Sequence, residues 1–445
     1  MTELPVVVIG AGPVGLAAAA ELVERDIDTL VLERRDTAGA AVSEWGHIRL
    51  FSRWAELTSP AARTLLTSEG WQHPDGNSYP TGADWVERYL RPLAAALGSR
   101  LRLGTEVTGV ARTGRDRVVD SGRADEPLAV HIRDRDGTET RLEARAVIDA
   151  SGTWQAPNPL GADGLPATGE RAAADRITYR VPDVSTPAVR DRYAGKHVVI
   201  AGSGHSAMTA LLSLDALTER HPDTRITWLL RRDELGDTFG GGEDDQLPAR
   251  GELGMRARSA VNSGRVTVVT GFRTEHVTRD RHGRLVLTST SGREVTAADE
   301  VIALAGFRPD LSWLSEVRLE LDPVLQAPTE LAPLIDPNVH SCGTVYPHGE
   351  RELSHPEPGM YVAGMKSYGR APTFLALTGY EQVRSIAAAL AGDHAAAERV
   401  ELTLPETGVC SGSGGVAGPA DEQVDTACGV PTGPSTPAAP ARTAS

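Results

Sequence analysis

Two glycine turns carry the clearest chemistry in this sequence. The first, Gly10-x-Gly12-x-x-Gly15, follows the β-branched run Val6 to Ile9 and opens an alanine-rich stretch. A second apolar strand, Thr29 to Leu32, then ends on Glu33. In such a βαβ unit the first glycine permits a tight turn, the second lets backbone approach a pyrophosphate, and the third lets helix pack closely on strand. Unpaired N–H groups at the helix start favour the phosphates. An acid at the end of the second strand accepts hydrogen bonds from ribose hydroxyls. Gly10, Gly12, Pro13, Gly15, Glu33 and Arg34 are therefore read as one dinucleotide site.

The second turn repeats the pattern in HVVIAGSGHSAMTALLSL, where Gly202, Ser203, Gly204, His205 and Ser206 join strand to helix. The strand after it, ITWLLRR, ends on Arg231-Arg232 rather than on an acid. Two guanidinium groups there suit the 2′-phosphate of NADPH through charge-assisted, bidentate bonds.

The elements that must position these turns follow in chain order. SEWGHIRLFSRW comes after the first unit and offers Arg49, Phe51 and Ser52 as lining residues. TGADWVERYLRPLAAALG places Val86, Tyr89, Leu90, Leu93 and Leu97 on one helical face, with Pro92 expected to kink it and Gly98 to stop it. Alternating strands between Leu101 and Val147 read as a β-meander, with Val107 a candidate backbone contact for an adenine ring. The parallel sheet is expected to resume at Ala146 to Ala150, where Ser151 and Gly152 allow close approach of a cofactor. Pro157 to Pro166 reads as a linker, and Gly236 to Gly254 as an acidic, glycine-rich surface loop or flap. ALAGFRPD, with Gly306, closes the second unit. VAGMK brings Gly364 and Lys366 to the end of another strand, ahead of a helix expected from about Pro372 to Leu390. Pro405 to Ser445 lacks large apolar residues and reads as a disordered tail.

Composition narrows the class. The chain has 445 residues, 40% hydrophobic and 24% charged, with a net charge of −15. That balance suits a globular protein and argues against nucleic-acid or anionic membrane partners, which need clustered basic residues. No segment reads as a signal or a membrane span. Three scattered cysteines, Cys342, Cys410 and Cys428, point to a reducing cytoplasm rather than to a disulfide framework.

The motif order GAGPVG with Glu33, DASGTW, GSGHSA with its arginines, ALAGFRPD and VAGMK resembles the two-dinucleotide-binding-domain flavoproteins over roughly residues 5 to 395. That family includes the flavin-containing monooxygenases and, more distantly, the thioredoxin reductases. The chain looks most like the branch encoded beside bacterial arsenic-resistance genes. The resemblance implies an α/β fold with two Rossmann-like domains, the NADPH domain (161–305) inserted into a split FAD domain (1–160 and 306–400). It implies FAD on Gly10, Gly12, Gly15, Glu33 and Gly364, and NADPH on Gly202, Gly204, His205, Ser206, Arg231 and Arg232. Three departures stand out. The monooxygenase signature with its histidine is missing from LPATGERAAADRITYRVPD, RLFSRW has no flavin-adjacent asparagine, and Met365-Lys366 replaces the acidic residue that follows AG in reductases.

The leading functional expectation is an NADPH-dependent monooxygenase. Hydride would pass from nicotinamide C4 to flavin N5, and O₂ would then give a C4a-hydroperoxide that oxygenates a heteroatom or carbonyl of a small substrate. Arg49, Ser52 and Lys366 are the side chains nearest to a catalytic role, since the flavin carries the chemistry. A reductase or oxidase of the same fold is the alternative, although no CxxC is present and only Cys410 and Cys428 could supply a mobile dithiol. A redox or soft-metalloid site on His340, Cys342, His348 and the tail cysteines is a third, with spacing that matches no zinc pattern. A homo-oligomer is compatible with all three.

Overall fold

We analysed a computed structural model, which describes residues 4–245, 247–339, 348–372 and 374–399. The chain divides into a unit spanning Met1–Ser413 and a terminal segment from Gly414, and all of the latter, like Cys342, Cys410, Cys428 and His340, lies outside the described residues.

The first sheet begins with β1 (Val6–Ile9), whose four side chains are all buried, and β2 (Thr29–Glu33). β3 (Leu101–Leu103) joins its edge, followed by the antiparallel meander β4 (Thr105–Arg112), β5 (Leu128–Asp134) and β6 (Glu139–Ala144). β7 (Ala146–Asp149) returns to the sheet on the far side of β1. The second sheet uses β8 (Ile177–Thr178), β9 (His197–Ala201), β10 (Arg225–Leu229) and β11 (Val266–Val269). β12 (Thr274–Arg279), β13 (Leu285–Ser289) and β14 (Glu294–Ala298) form a second meander, and β15 (Glu300–Ala303) closes that sheet. β16 (Met360–Val362) completes the first sheet.

The two parallel sheets have orders β16-β7-β1-β2-β3 and β11-β10-β9-β15-β8. The fold is the expected pair of Rossmann-like units, one inserted into the other. In each sheet the chain leaves the central strand toward one neighbour and later returns on its other side. This topological switch opens a crevice at the carboxyl ends of the strands, where ligands bind in such sheets.

Helix Pro13–Glu24 shows why its alanines matter. Ala17, Ala18 and Ala19 have no exposed surface, and Ala20 has almost none, so this helix lies close against the sheet and helix Ala376–Leu390. The opposite face of the sheet packs on Val110, Val130 and Ile132 of the first meander.

Several local expectations need adjustment. The helix over residues 82–97 starts on a Thr81–Asp84 capping box and carries a π-turn at Val86–Leu90 just before Pro92, which absorbs the proline. The supposed loop 236–254 contains the first half of helix Pro248–Asn262. A Cβ on Gly251 or Gly254 would meet Gly242 O at 2.0 Å or Phe239 O at 1.8 Å, so this segment is packed onto the helix rather than left as a flap. The final long helix begins at Ala376, later than expected, and a 3₁₀ turn at Gly364–Tyr368 precedes it. The linker 157–166 is tied down, with Asn158 N donating to Gly306 O and Arg308 N to Ala156 O, each at 2.9 Å. The two strands of chain that cross between the sheets are thus held side by side.

Candidate functional site

The residues just beyond β1, β2, β7 and β16 converge. Gly10, Glu33, Ala150 and Gly364 line one cavity of about 480 Å³, together with Gly12, Pro13, Ser151 and Gly152. The size is that of a cofactor pocket. Each glycine of the first turn has a distinct constraint. Gly10 has φ +98°, and a Cβ there would approach Ala150 O and Ser151 Cα at 2.9 Å. A Cβ on Gly15 would strike Gly10 O at 1.9 Å. A Cβ on Gly12 would have nothing of the protein within 4 Å beyond its own neighbours and helix, so that side of its backbone faces open space at the start of helix Pro13–Glu24. That free approach fits a diphosphate on the helix N-terminus. Glu33 is half-buried beside it, accepting from Ala11 N at 2.8 Å and from Arg35 N at 2.9 Å.

The other end of the cavity is aromatic and apolar. Trp45, Ile48, Leu50, Phe51, Leu57, Trp85, Trp154, Phe374 and Leu375 line the cavity, and so do Arg34, Arg49 and Ser52. Arg49 is also tied to the strand opposite, donating from Nη1 to Tyr79 O at 3.1 Å. Residue-by-residue reading of motifs missed Trp45, Trp85 and Trp154. A signal was present, since tryptophan occurs only seven times in the chain and three of these residues line this pocket.

The second glycine turn has the same construction. Gly202 has φ +133°, and a Cβ there would meet Leu304 O at 2.2 Å, whereas Gly204 caps helix His205–Thr218 with nothing within 4 Å of its Cβ position. Ser203 is half-buried, Ser206 and Arg231 are exposed, and Arg232 is half-buried beyond β10. His205 packs its ring edge-on to Phe51 at 5.3 Å, which joins the second turn to the wall of the first cavity. Burial, with Arg250 adding to it against the opposing pull of Asp245, lowers the His205 pKa to about 4. The ring is neutral at physiological pH.

Beside this junction, Arg180 lies over the Trp154 ring at 4.1 Å, and Trp154 lies 4.9 Å from Phe307. Glu44 accepts from Trp154 Nε1 at 2.8 Å and from Arg35 Nη2 at 2.7 Å.

Three expected site residues are not among those lining this cavity. Gly306 sits exposed at the crossing of the two chain segments, with φ +87°, and not on the cavity wall. The Val107 side chain packs toward the core at a bulge in β4, while its neighbour Glu106 lines an adjoining cavity of about 380 Å³ that shares Arg34, Arg35 and Gln155 with the first. Lys366 does not face the cavity. It is 2% exposed and paired with Asp149 Oδ2 at 2.6 Å, and its neighbour Met365 lines the wall instead. His348, offered for a metalloid site, is buried against Gln382 Nε2 at 3.0 Å.

A family model described as pyridine nucleotide-disulphide oxidoreductase matches residues 7–330. Ferredoxin--NADP reductase 1 of Cupriavidus necator is 27% identical over 326 residues, covering 72% of this chain and 76% of that protein. The bacillithiol disulfide reductase of Bacillus cereus superposes with a TM-score of 0.64 at 20% identity, over 88% of this chain and 99% of that one. A cadaverine monooxygenase of Erwinia amylovora bound to FAD superposes at 0.61 with 13% identity, over 91% and 99%. These findings agree with the expected resemblance to monooxygenase-like and reductase-like flavoproteins with two dinucleotide-binding domains.

Proposed function

Because this chain belongs to the pyridine nucleotide-disulphide oxidoreductase family and is an oxidoreductase with FAD and NADPH as its cofactors, we propose that it acts as a monooxygenase on a small substrate. The observation that carries the proposal is the composition of the flavin-side wall. Five aromatic residues, Trp45, Phe51, Trp85, Trp154 and Phe374, stand there. Transfer of electrons to a disulfide of the chain needs two thiols that meet beside the flavin, and the sequence holds no CxxC. Oxygenation instead needs a dry, closed cavity.

FAD held in this cavity would supply the redox chemistry, accepting hydride from NADPH and, on this reading, reacting with O₂. The chain's own residues bind, orient and exclude water. Gly12 and the first turn of the helix at Val14 would present backbone N–H groups to the diphosphate, with Gly10 and Pro13 shaping the turn, and Glu33 would accept from a ribose hydroxyl. Ser151, Gly152 and Gly364 close the other side. Gly202, Ser203, Gly204 and Ser206 take the NADPH diphosphate, and Arg231 and Arg232 its 2′-phosphate. The Phe51–His205 contact lies between the two sites and excludes water where they meet, with His205 serving as a neutral packing surface.

The second reading, an NADPH-dependent reductase, is favoured by the 27% identity with the ferredoxin reductase. Rapid mixing separates the two. NADPH-reduced protein mixed with O₂ is expected to return to the oxidised spectrum in two resolved phases, with little peroxide released per NADPH in the first. A single-phase return with one peroxide released per NADPH would overturn the monooxygenase reading.

A further inference from the structure

Lys366 is left without a task by the cofactor assignments, yet it is among the most enclosed charges of the molecule. Its ammonium lies 2.6 Å from Asp149 Oδ2 and 3.1 Å from Ser151 Oγ, with the Trp313 ring 4.6 Å from Nζ. Asp149 also accepts from Ser151 N at 3.0 Å through Oδ1. Carboxylate, ammonium and hydroxyl thus form a closed ring joining the end of β7 to the turn after β16. Asp149 matches the Lys366 charge in place, so the pair adds little net field to the cavity.

What the ring decides is the direction of a proton. An ammonium has three donors and no acceptor, so Ser151 Oγ must accept at this contact, and its own hydrogen points away from Lys366. Ser151 lines the cavity beside Gly10 and Gly12, and its Cα is one of the two atoms that a Cβ on Gly10 would strike. We propose that Lys366, held by Asp149, is a positioning residue that commits the Ser151 hydroxyl to donate to a diphosphate oxygen of FAD. A serine with a fixed hydrogen donates without first surrendering another partner or freezing a rotor, and preorganisation of that kind strengthens binding. The inference rests on FAD occupying this cavity and is independent of whether electrons end on O₂ or on another acceptor.

Dissociation constants for FAD, and for ADP as a probe that carries the diphosphate without the flavin, test it in the full chain. Ser151→Ala is expected to weaken both ligands about tenfold while leaving the melting temperature of the apoprotein unchanged. The neutral pair Asp149→Asn with Lys366→Met removes the ring without stranding a buried charge and is expected to weaken both ligands by a similar factor. Adding Ser151→Ala to that pair is expected to weaken them no further, because the three residues act through one hydrogen bond. The proposal is overturned if the neutral pair binds FAD within twofold of wild type, or if the triple variant shows the product of the two losses. Should the neutral pair fail to fold, Ser151→Ala alone decides: undiminished affinity for ADP overturns the proposal, and an equal loss for FAD and ADP sustains it. No arm uses NADPH or O₂, so failure here is separate from failure of the monooxygenase reading.

Discussion

At the scale of single residues, the two outer glycines of the first turn are constrained by protein, and the middle one faces only the cavity. Gly10 and Gly15 would drive a methyl group into backbone. Gly12 has φ −83° and ψ −175°, which any residue adopts, and no protein atom near its Cβ position. Gly12→Ala is therefore expected to leave the apoprotein's melting temperature unchanged and to weaken FAD by about tenfold or more, because the methyl occupies the path of the diphosphate. Fluorescence titration of FAD together with a thermal melt checks both halves, and normal FAD affinity would remove Gly12 from the site. Lys366 illustrates the opposite case. Its side chain was legible as a charge near a cofactor, but its partner Asp149 is more than 200 positions away in the chain, so only the folded sheet turns it inward.

At the scale of elements, the first meander is locked to the returning chain through one buried carboxylate. Glu357 takes Arg112 Nε on Oε1 and Arg123 Nη2 on Oε2, each at 2.6 Å, with all three side chains at 4% exposure or less. Arg123 Nε and Arg318 N add two further donors, each at 3.2 Å. Burial alone would raise the Glu357 pKa, but the hydrogen bonds from Arg123 and Arg112 bring it below the usual carboxylate range. Glu357→Gln strands two buried guanidinium groups and is expected to cost about 3 to 5 kcal/mol. Urea unfolding measures this, and a loss under about 1 kcal/mol would mean that water reaches the arginines. The element pattern itself was largely readable, because β-branched strands, Gly turns and alanine-rich helices are set by local sterics and burial. The helix at Pro248 was not, since its glycines and arginines resemble a loop until Gly251 and Gly254 are seen pressed against Gly242 and Phe239.

At the scale of the whole molecule, half-buried histidines make stability depend on pH. Burial lowers His205 and His355 to about 4, from an ordinary 6.5. Between those values the unfolded chain binds protons that the folded protein does not, so stability is complete above about pH 6.5 and falls as pH drops toward about 4. Each histidine is expected to contribute roughly 1 to 3 kcal/mol to that loss. Urea midpoints across this range should show the decline, and the double variant His205→Gln, His355→Gln should flatten it. An unchanged slope in the double variant would assign the decline to other groups. Among the described residues no helix is long and apolar enough to cross a membrane.

By itself the sequence determined the two glycine turns, the insertion of one Rossmann-like unit into another, and both cofactors. These follow from short-range constraints: a turn that only glycine tolerates, a strand that ends on an acid or on arginines, a helix of small residues. Only the tertiary structure decided the aromatic wall of the cavity, the inward pairing of Lys366 with Asp149, and the meeting of Phe51 with His205. Each joins side chains from distant segments, and contacts of that kind exist only once burial of the two sheets has brought those segments together.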